Sequence, residues 1–404
     1  MASVDQPLIL LASGVASLES MNSLARGLVE RGVPAANLRV VHLDPTRDEI
    51  DLLDLVRLLD KTIKAEHLVD ESGRQHEDGP FSVIAHGVAG LILNHWIELF
   101  YPDGLVPIRT AINIATPLMG SRAASARQRL SDRAADFGLS ILQDIELGST
   151  LQYDSALRYC KNKWRETPPF FFALASEFTD EHPERADKVE FGTDGFTRVT
   201  SANPNVMRIN RKNVIDITAE TPFHVFKGFP HSGASGLLTR FQEAIPADDP
   251  VLKRIMEFLS VRDEAAYRTQ MVRDSWREHP AIQVVVHPRD QYGRLVSGCY
   301  AEFYVDGKRD NSILLHSRAE GPTNHLTFLL DARGLVDGSL KTLTIQVTHR
   351  PEGWLHFGAG AQAVLFDADN SVRAVQPGCT TLVDMMLVRT FRHLKADISS
   401  PEQK

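Results

Sequence analysis

The sequence is poor in several features that would fix its class at once. Three cysteines occur in 404 residues, Cys160, Cys299 and Cys379; far apart and odd in number, they give neither a disulfide framework nor a zinc site. Such usage fits a reducing compartment, and the expected location is cytoplasmic. Positive charge is also short, with 44 Lys and Arg against 52 Asp and Glu and a formal net charge of −8. Without a basic field, nucleic acid is excluded as an expected partner. No run approaches the ~20 apolar residues of a membrane-crossing helix. The apolar run Leu8 to Ala12 follows Asp5 rather than Lys or Arg, so it reads as a strand and not as a signal peptide. There is no internal repeat, and no metal or cofactor is expected.

What is present is ordinary for a globular chain: 43% hydrophobic and 24% charged residues, with length enough for two domains. Strand-like and helix-like segments alternate from the start. Leu8–Ala12, Leu38–Leu43, Phe81–Ala85, Thr110–Ala115 and Pro169–Ser176 read as strands, with helices near Met21–Arg31, Arg47–Glu66 and Val88–Phe100. This alternation predicts an α/β fold with a mostly parallel sheet. Residues 118–168 interrupt it as a helical insertion of the kind that caps a sheet edge. After Val206–Ile209, Phe223–Phe226 and a helix at Val251–Leu259, the pattern changes again. From Ala281 short alternating strands predict an all-β sandwich. The expected division is 1–262, a helical linker 263–280, the sandwich 281–395 and a tail 396–404.

The chain is organised around Phe81 to Phe100, FSVIAHGVAGLILNHWIELF. An apolar strand, an abrupt turn of small residues and a helix have the shape of a nucleophile elbow, which holds a serine on a strained strand-to-helix turn. Here Gly87 occupies the serine position. Three further stretches follow: ATPLMGS at 115–121, GTDGFTRV at 192–199 and FPHSG at 229–233. Elbow, acid and histidine thus come in the chain order of α/β-hydrolases.

On these residues the first ~240 to 260 positions resemble the lipase and esterase branch of the α/β-hydrolase fold, whose elbow reads Gly-His-Ser-x-Gly-Gly. The resemblance implies that Asp194 orients an imidazole and that His231 is the general base. It implies an oxyanion hole from the Val88 N–H and from the loop at Gly14 and Val15, with His86 and Ser13 lining the pocket. It departs from the family twice: Gly87 replaces the serine, and Ser13-Gly14 replaces the usual His-Gly. The implied substrate is a carboxylic ester or lipid, and the implied activity is nil or nearly so, since no acyl-enzyme can form without a nucleophile. The sequence would read the same for a pseudoenzyme as for an inactivated mutant.

Blander readings stand beside these. Asp194 between glycines is also a usual turn residue. His86, His95 and His224 rival His231, although His95 falls on a helix and His224 in a strand. Ser13, Ser232 and Ser235 are simplest as loop hydroxyls. A non-catalytic protein that keeps the acyl pocket, and meets a membrane surface, glycan or protein through its sandwich, is the alternative function. A dinucleotide site is disfavoured because Gly14 is not part of a G-x-G-x-x-G.

Overall fold

The computed structural model describes residues 6–75, 79–102, 104–125, 137–161, 169–178, 192–210, 212, 215–217, 220–231, 236–238, 248–271, 276–318, 325–349, 355–357 and 360–391. Eight strands come first: β1 (Leu8–Ser13), β2 (Leu38–Leu43), β3 (Phe81–His86), β4 (Ile108–Ile114), β5 (Phe170–Glu177), β6 (Val206–Ile209), β7 (Ile215–Ile217) and β8 (Phe223–Lys227). All but β6 and β7 form one sheet in the order β2-β1-β3-β4-β5-β8, and every pairing in it is parallel.

β1 and β3 are buried along their whole length, as central strands covered on both faces must be. Alternate residues of β1 therefore enter different cores. Ile9 and Leu11 pack with helices α2 (Leu52–Ala65) and α3 (Val88–Phe100), whereas Leu8 and Leu10 pack with α1 (Val15–Glu30). The second helix begins later than the amphipathic pattern from Arg47 suggests. Asp51 and Asp54 form a reciprocal capping box there, with Asp54 N–H donating to Asp51 Oδ1 at 2.8 Å, and this fixes the first turn.

The insertion contains α4 (Arg122–Ser125), α5 (Leu139–Asp144) and α6 (Thr150–Lys161); residues 126–136 and 162–168 lie outside the described residues. Ile141, Leu142, Ile145 and Tyr153 pack into the core beneath α2 and α3. A single turn, α7 (Val199–Ala202), follows the acid loop. Helix α8 (Pro250–Leu259) is opened by Asp249, whose carboxylate accepts from Leu252 N–H at 2.8 Å. The expected linker helix is α9 (Glu264–Met271) and a separate 3₁₀ turn at Trp276–Glu278. It is more than a tether, because Tyr267 is buried and donates its hydroxyl to the Phe171 carbonyl at 2.9 Å.

The remaining strands are β9 (Ala281–Asp290), β10 (Cys299–Val305), β11 (Lys308–Arg309), β12 (Leu314–Arg318), β13 (Leu326–Asp331), β14 (Thr342–His349), β15 (Leu355–Phe357), β16 (Ala361–Asp367), β17 (Val372–Arg373), β18 (Thr380–Leu387) and β19 (Arg389–Phe391). They build a sheet β11-β10-β14-β16-β17, a sheet β12-β13-β9-β18-β6-β7 and a short β15-β19 pair. Val284, Val286 and Phe328 from one sheet share a core with Phe303, Ile345 and Leu365 from the other. The expected tail 396–404 lies outside the described residues.

The segment 206–217 falls within the expected first domain, yet β6 pairs in parallel with β18, Thr380 opposite Val206 and Val383 opposite Ile209, and β7 extends that sheet. The division between sheets therefore does not follow the chain at residue 262. A four-residue strand carries no local mark of which sheet it will join; its register is set by long-range pairing. Among the described residues no helix is long and apolar enough to cross a membrane.

Candidate functional site

The turn after β3 places Gly87 at φ 60°, ψ −131°, a backbone region that costs an L-residue on the order of 1–3 kcal/mol. The turn is tied down by Gly87 N–H donating to the Ile114 carbonyl at 2.9 Å. Its small residues have a packing reason. A Cβ on Gly90 would stand 2.1 Å from Thr116 Oγ1, so the elbow helix can sit against the β4 loop only with glycine there. Gly87 differs, since the nearest atoms to a Cβ would be the His231 ring, with Nε2 at 3.4 Å. That is ordinary contact distance, so sterically the position is open to a side chain pointing at an imidazole.

His231 is held from its other side. Its Nδ1 is 2.8 Å from Asp194 Oδ2, and its backbone N–H donates to the Asp194 carbonyl at 2.8 Å. Asp194 is 1% exposed, and its Oδ1 accepts from the backbone N–H groups of Phe196 at 2.9 Å and Thr197 at 2.7 Å. The carboxylate is thus buried but solvated by backbone dipoles, with Oδ2 left for the imidazole. An Asx-type turn and a histidine partner are therefore both true of Asp194, one on each oxygen. Phe196 and His86 flank the His231 ring, with centroids at 4.9 Å and 4.8 Å.

The ATPLMGS stretch frames the acid loop rather than the elbow alone. Thr197 Oγ1 donates to the Ala115 carbonyl at 2.9 Å, and Ser121 Oγ to the Phe196 carbonyl at 2.5 Å. Ser201 Oγ donates to the Gly120 carbonyl at 2.5 Å. Two motifs about 80 residues apart in sequence thus close on each other.

His86 is fully buried. Burial, with the neighbouring His231 adding to it, holds its pKa well below the ordinary imidazole value, so it stays neutral. Ser17 Oγ donates to the His86 carbonyl at 3.2 Å and lies 3.3 Å from His86 Nδ1. Since Ser17 has spent its one hydrogen, the second contact requires the proton on Nδ1, leaving Nε2 as a bare acceptor. Ser17 also accepts from Ser13 N–H at 3.3 Å. It is the residue that sequence reasoning missed, and nothing in a helix position four residues past Ser13 would have marked it.

Gly14 caps α1 at φ 85°, ψ 161°, and Val15 and Val88 are the first residues of α1 and α3. Their N–H groups belong to first helical turns, where no intrahelical acceptor exists. Ser13 is buried, and its Oγ has no hydrogen-bond partner among the described residues. The rival histidines lie elsewhere. His95 is buried on α3 beside Glu98 at 3.5 Å, and His224 is in β8, its pKa lowered to about 4 by burial, with Arg254 adding.

Arg198, in the same loop as Asp194, is 3% exposed. Its guanidinium is pushed down to about 9 by burial, with Arg122 adding. Its Nη1 donates to Gln283 Oε1 on β9 at 3.2 Å, and Gln283 Nε2 donates to Thr380 Oγ1 on β18 at 3.0 Å. Thr380 in turn donates to the Thr200 carbonyl at 2.8 Å. This buried network joins the acid loop to the second sheet.

No family model matches the sequence, and no curated protein matches it. Among solved structures the chain is similar to the phospholipase PlaB from Legionella pneumophila, 17% identical, over 99% of this chain and 98% of that one, with a TM-score of 0.81. The same phospholipase in complex with thio-NAD gives a TM-score of 0.82 at the same identity. A mature lipase, BlEst2 from Bacillus licheniformis, covers 58% of this chain and 89% of its own at a TM-score of 0.38. The chain therefore shares its fold, from end to end, with the PlaB structure: a parallel α/β sheet joined to additional β-sheets.

Proposed function

We propose that the chain is a lipase/esterase-type serine-hydrolase scaffold for a carboxylic ester of a lipid, inactive or nearly so because its nucleophile position is Gly87. One observation carries this reading: His231 is fixed by Asp194 at 2.8 Å and directs Nε2 to 3.4 Å from where a Gly87 Cβ would stand. In a serine-bearing site the hydroxyl would attack the ester carbonyl while Nε2 takes its proton. The buried Asp194 carboxylate would stabilise the imidazolium, and the proton would return to the departing alcohol. The Val88 N–H, with one from Gly14 or Val15, would face the oxyanion. His86, held neutral, would line the pocket without competing for the proton.

In the chain as it stands the attack step has no hydroxyl. Our reading leaves it ester binding, plus a slow route in which His231 activates a water, within a residual acceleration of ~10³–10⁴ over water. The PlaB-like fold favours a phospholipid among ester substrates. The C-terminal β-sandwich is our choice for membrane or protein contact. A purely binding role is favoured by one fact, that glycine relieves the backbone strain at φ 60° which a serine would carry.

Hydrolysis of short-chain p-nitrophenyl esters by Gly87→Ser tests the reading. We expect a gain of at least ~10³-fold over the parent chain, abolished by adding His231→Ala. A folded Gly87→Ser protein without activity would remove the elbow assignment. Parent activity unchanged by His231→Ala would remove the water route.

A further inference from the structure

A cavity of about 440 Å³ opens where helix α6 meets the second sheet, lined by Leu157, Arg208, Asn210, Lys212, Arg289 and Asp384. It shares no residue with the His231 site. Three cationic side chains face one carboxylate there, a local positive excess on a chain whose net charge is −8.

The carboxylate is already committed. Tyr153, buried and stacked on His287 at 3.6 Å, donates its hydroxyl to Asp384 Oδ1 at 3.0 Å. Arg208 donates to Oδ2 through Nη2 at 2.6 Å and Nε at 3.2 Å. Asp384 therefore acts as an anchor that orients Arg208, while Arg208 Nη1 is 3.6 Å from Asp216, too long for a hydrogen bond. Burial and the Asp384 charge keep the Tyr153 phenol well above its ordinary pKa, so it remains a donor and the anchor persists. Arg289 donates Nη1 to the Gly293 carbonyl at 3.1 Å and keeps Nε 4.0 Å from Asp384. Lys212 Nζ has no side-chain partner among the described residues, and Lys212 is exposed.

We propose that this cavity binds a phosphate-bearing ligand. The guanidinium hydrogens not spent on Asp384 or Gly293 are held at fixed positions from which they can donate to phosphate oxygens, and a lysine adds a point charge. With Asp216 counted beside Asp384, the three cations leave a net excess of one positive charge, which favours an anion. The volume lies in the ~300–1,000 Å³ range of organic-ligand pockets and exceeds what a bare phosphate fills, with Leu157 as an apolar wall for the attached carbon group. The phosphate has two sources, a soluble organophosphate or a phospholipid headgroup.

Calorimetric titration of the full chain with inorganic pyrophosphate, beside flotation with phosphatidylcholine vesicles with and without phosphatidic acid, separates these sources. Both are repeated on Lys212→Ala and Arg289→Gln. Each variant should weaken the interaction about tenfold, the loss of one charge-assisted hydrogen bond. Pyrophosphate binding alone identifies a soluble ligand, and phosphatidic acid-dependent flotation alone a headgroup. Binding of neither probe, or binding that both variants leave unchanged, overturns the proposal. Lys212 makes no side-chain contact that folding depends on, so its variant reports even if Arg289→Gln destabilises the Gly293 turn.

Discussion

The two sides of the Gly87–His231 site are held by different means. On the elbow side the parts are consecutive, a buried strand, a tight turn and a helix within twenty residues, and the outside groups that brace them, Ser17, Ile114 and Thr116, belong to elements of the same sheet or its covering helices. On the acid side the loop at 193–201 is held from far away in sequence, by Gln283 and Thr380 on the second sheet and by Asn203 Nδ2 donating to the Gly378 carbonyl at 2.8 Å. One half of the site belongs to the parallel sheet, while the other is clamped between that sheet and its neighbour. The additional sheets are therefore part of the scaffold of the site, whatever else they touch.

The largest effect should come from removing the second sheet. A chain ending at residue 262 lacks β9 and β18, leaves β6 paired only with the three-residue β7 and exposes Arg198 and Thr200. We expect no cooperative thermal transition by near-UV circular dichroism. A truncated chain that melts sharply would erase the contrast. A subtler cut at the same join is Gln283→Leu, which leaves the Arg198 and Thr380 groups without this partner in a buried network. The expected loss is about 1.5–3 kcal/mol, that of a hydrogen bond to a charged group, read as a lowered urea midpoint at unchanged slope.

Acid should loosen the same side. His287 Nε2–H donates to the Gly148 carbonyl at 2.9 Å, and burial is the main cause holding its pKa to about 3. His279, which would meet a Cβ on Gly192 at 2.8 Å, is lowered to about 4, chiefly by burial. With folded values below the ordinary ~6.5, the unfolded chain takes up protons first as pH falls. Stability is therefore full above pH ~6.5 and declines toward pH 3, by about 2 kcal/mol at pH 5 for His287 alone. A urea midpoint flat between pH 7 and 5 would contradict this.

The elbow side gives the smallest single effect, at Gly87, and a larger one three residues on. Gly87→Ala meets only ordinary contacts and should cost about 1 kcal/mol, from its positive φ. Gly90→Ala, which brings a methyl to 2.1 Å from Thr116 Oγ1, should cost about 2 kcal/mol more. Equal thermal shifts for the two would mean that the turn is not built as described.

The same contrast explains what the sequence could convey. β3, the elbow and α3 were legible because strand, turn and helix each carry a local pattern, whereas the second helix was expected from Arg47 and starts only after the Asp51 cap. The approach of Asp194 to His231 was inferable from motif order. Ser17 beneath His86, and the Arg198–Gln283–Thr380 network, were not, since each depends on which distant segments pair. β6 is the plainest case: VMRI reads as a strand wherever it goes, and only the register with β18 decides its sheet.

The central claim is that His231 is aimed at position 87. The most direct measurement is covalent labelling of Gly87→Ser by a fluorophosphonate, with the modified peptide mapped by mass spectrometry and Gly87→Ser/His231→Ala as the control. The account predicts stoichiometric phosphonylation at residue 87 in the single variant and loss of labelling in the double variant. A folded Gly87→Ser protein that takes no label, or one labelled equally well without His231, would contradict it.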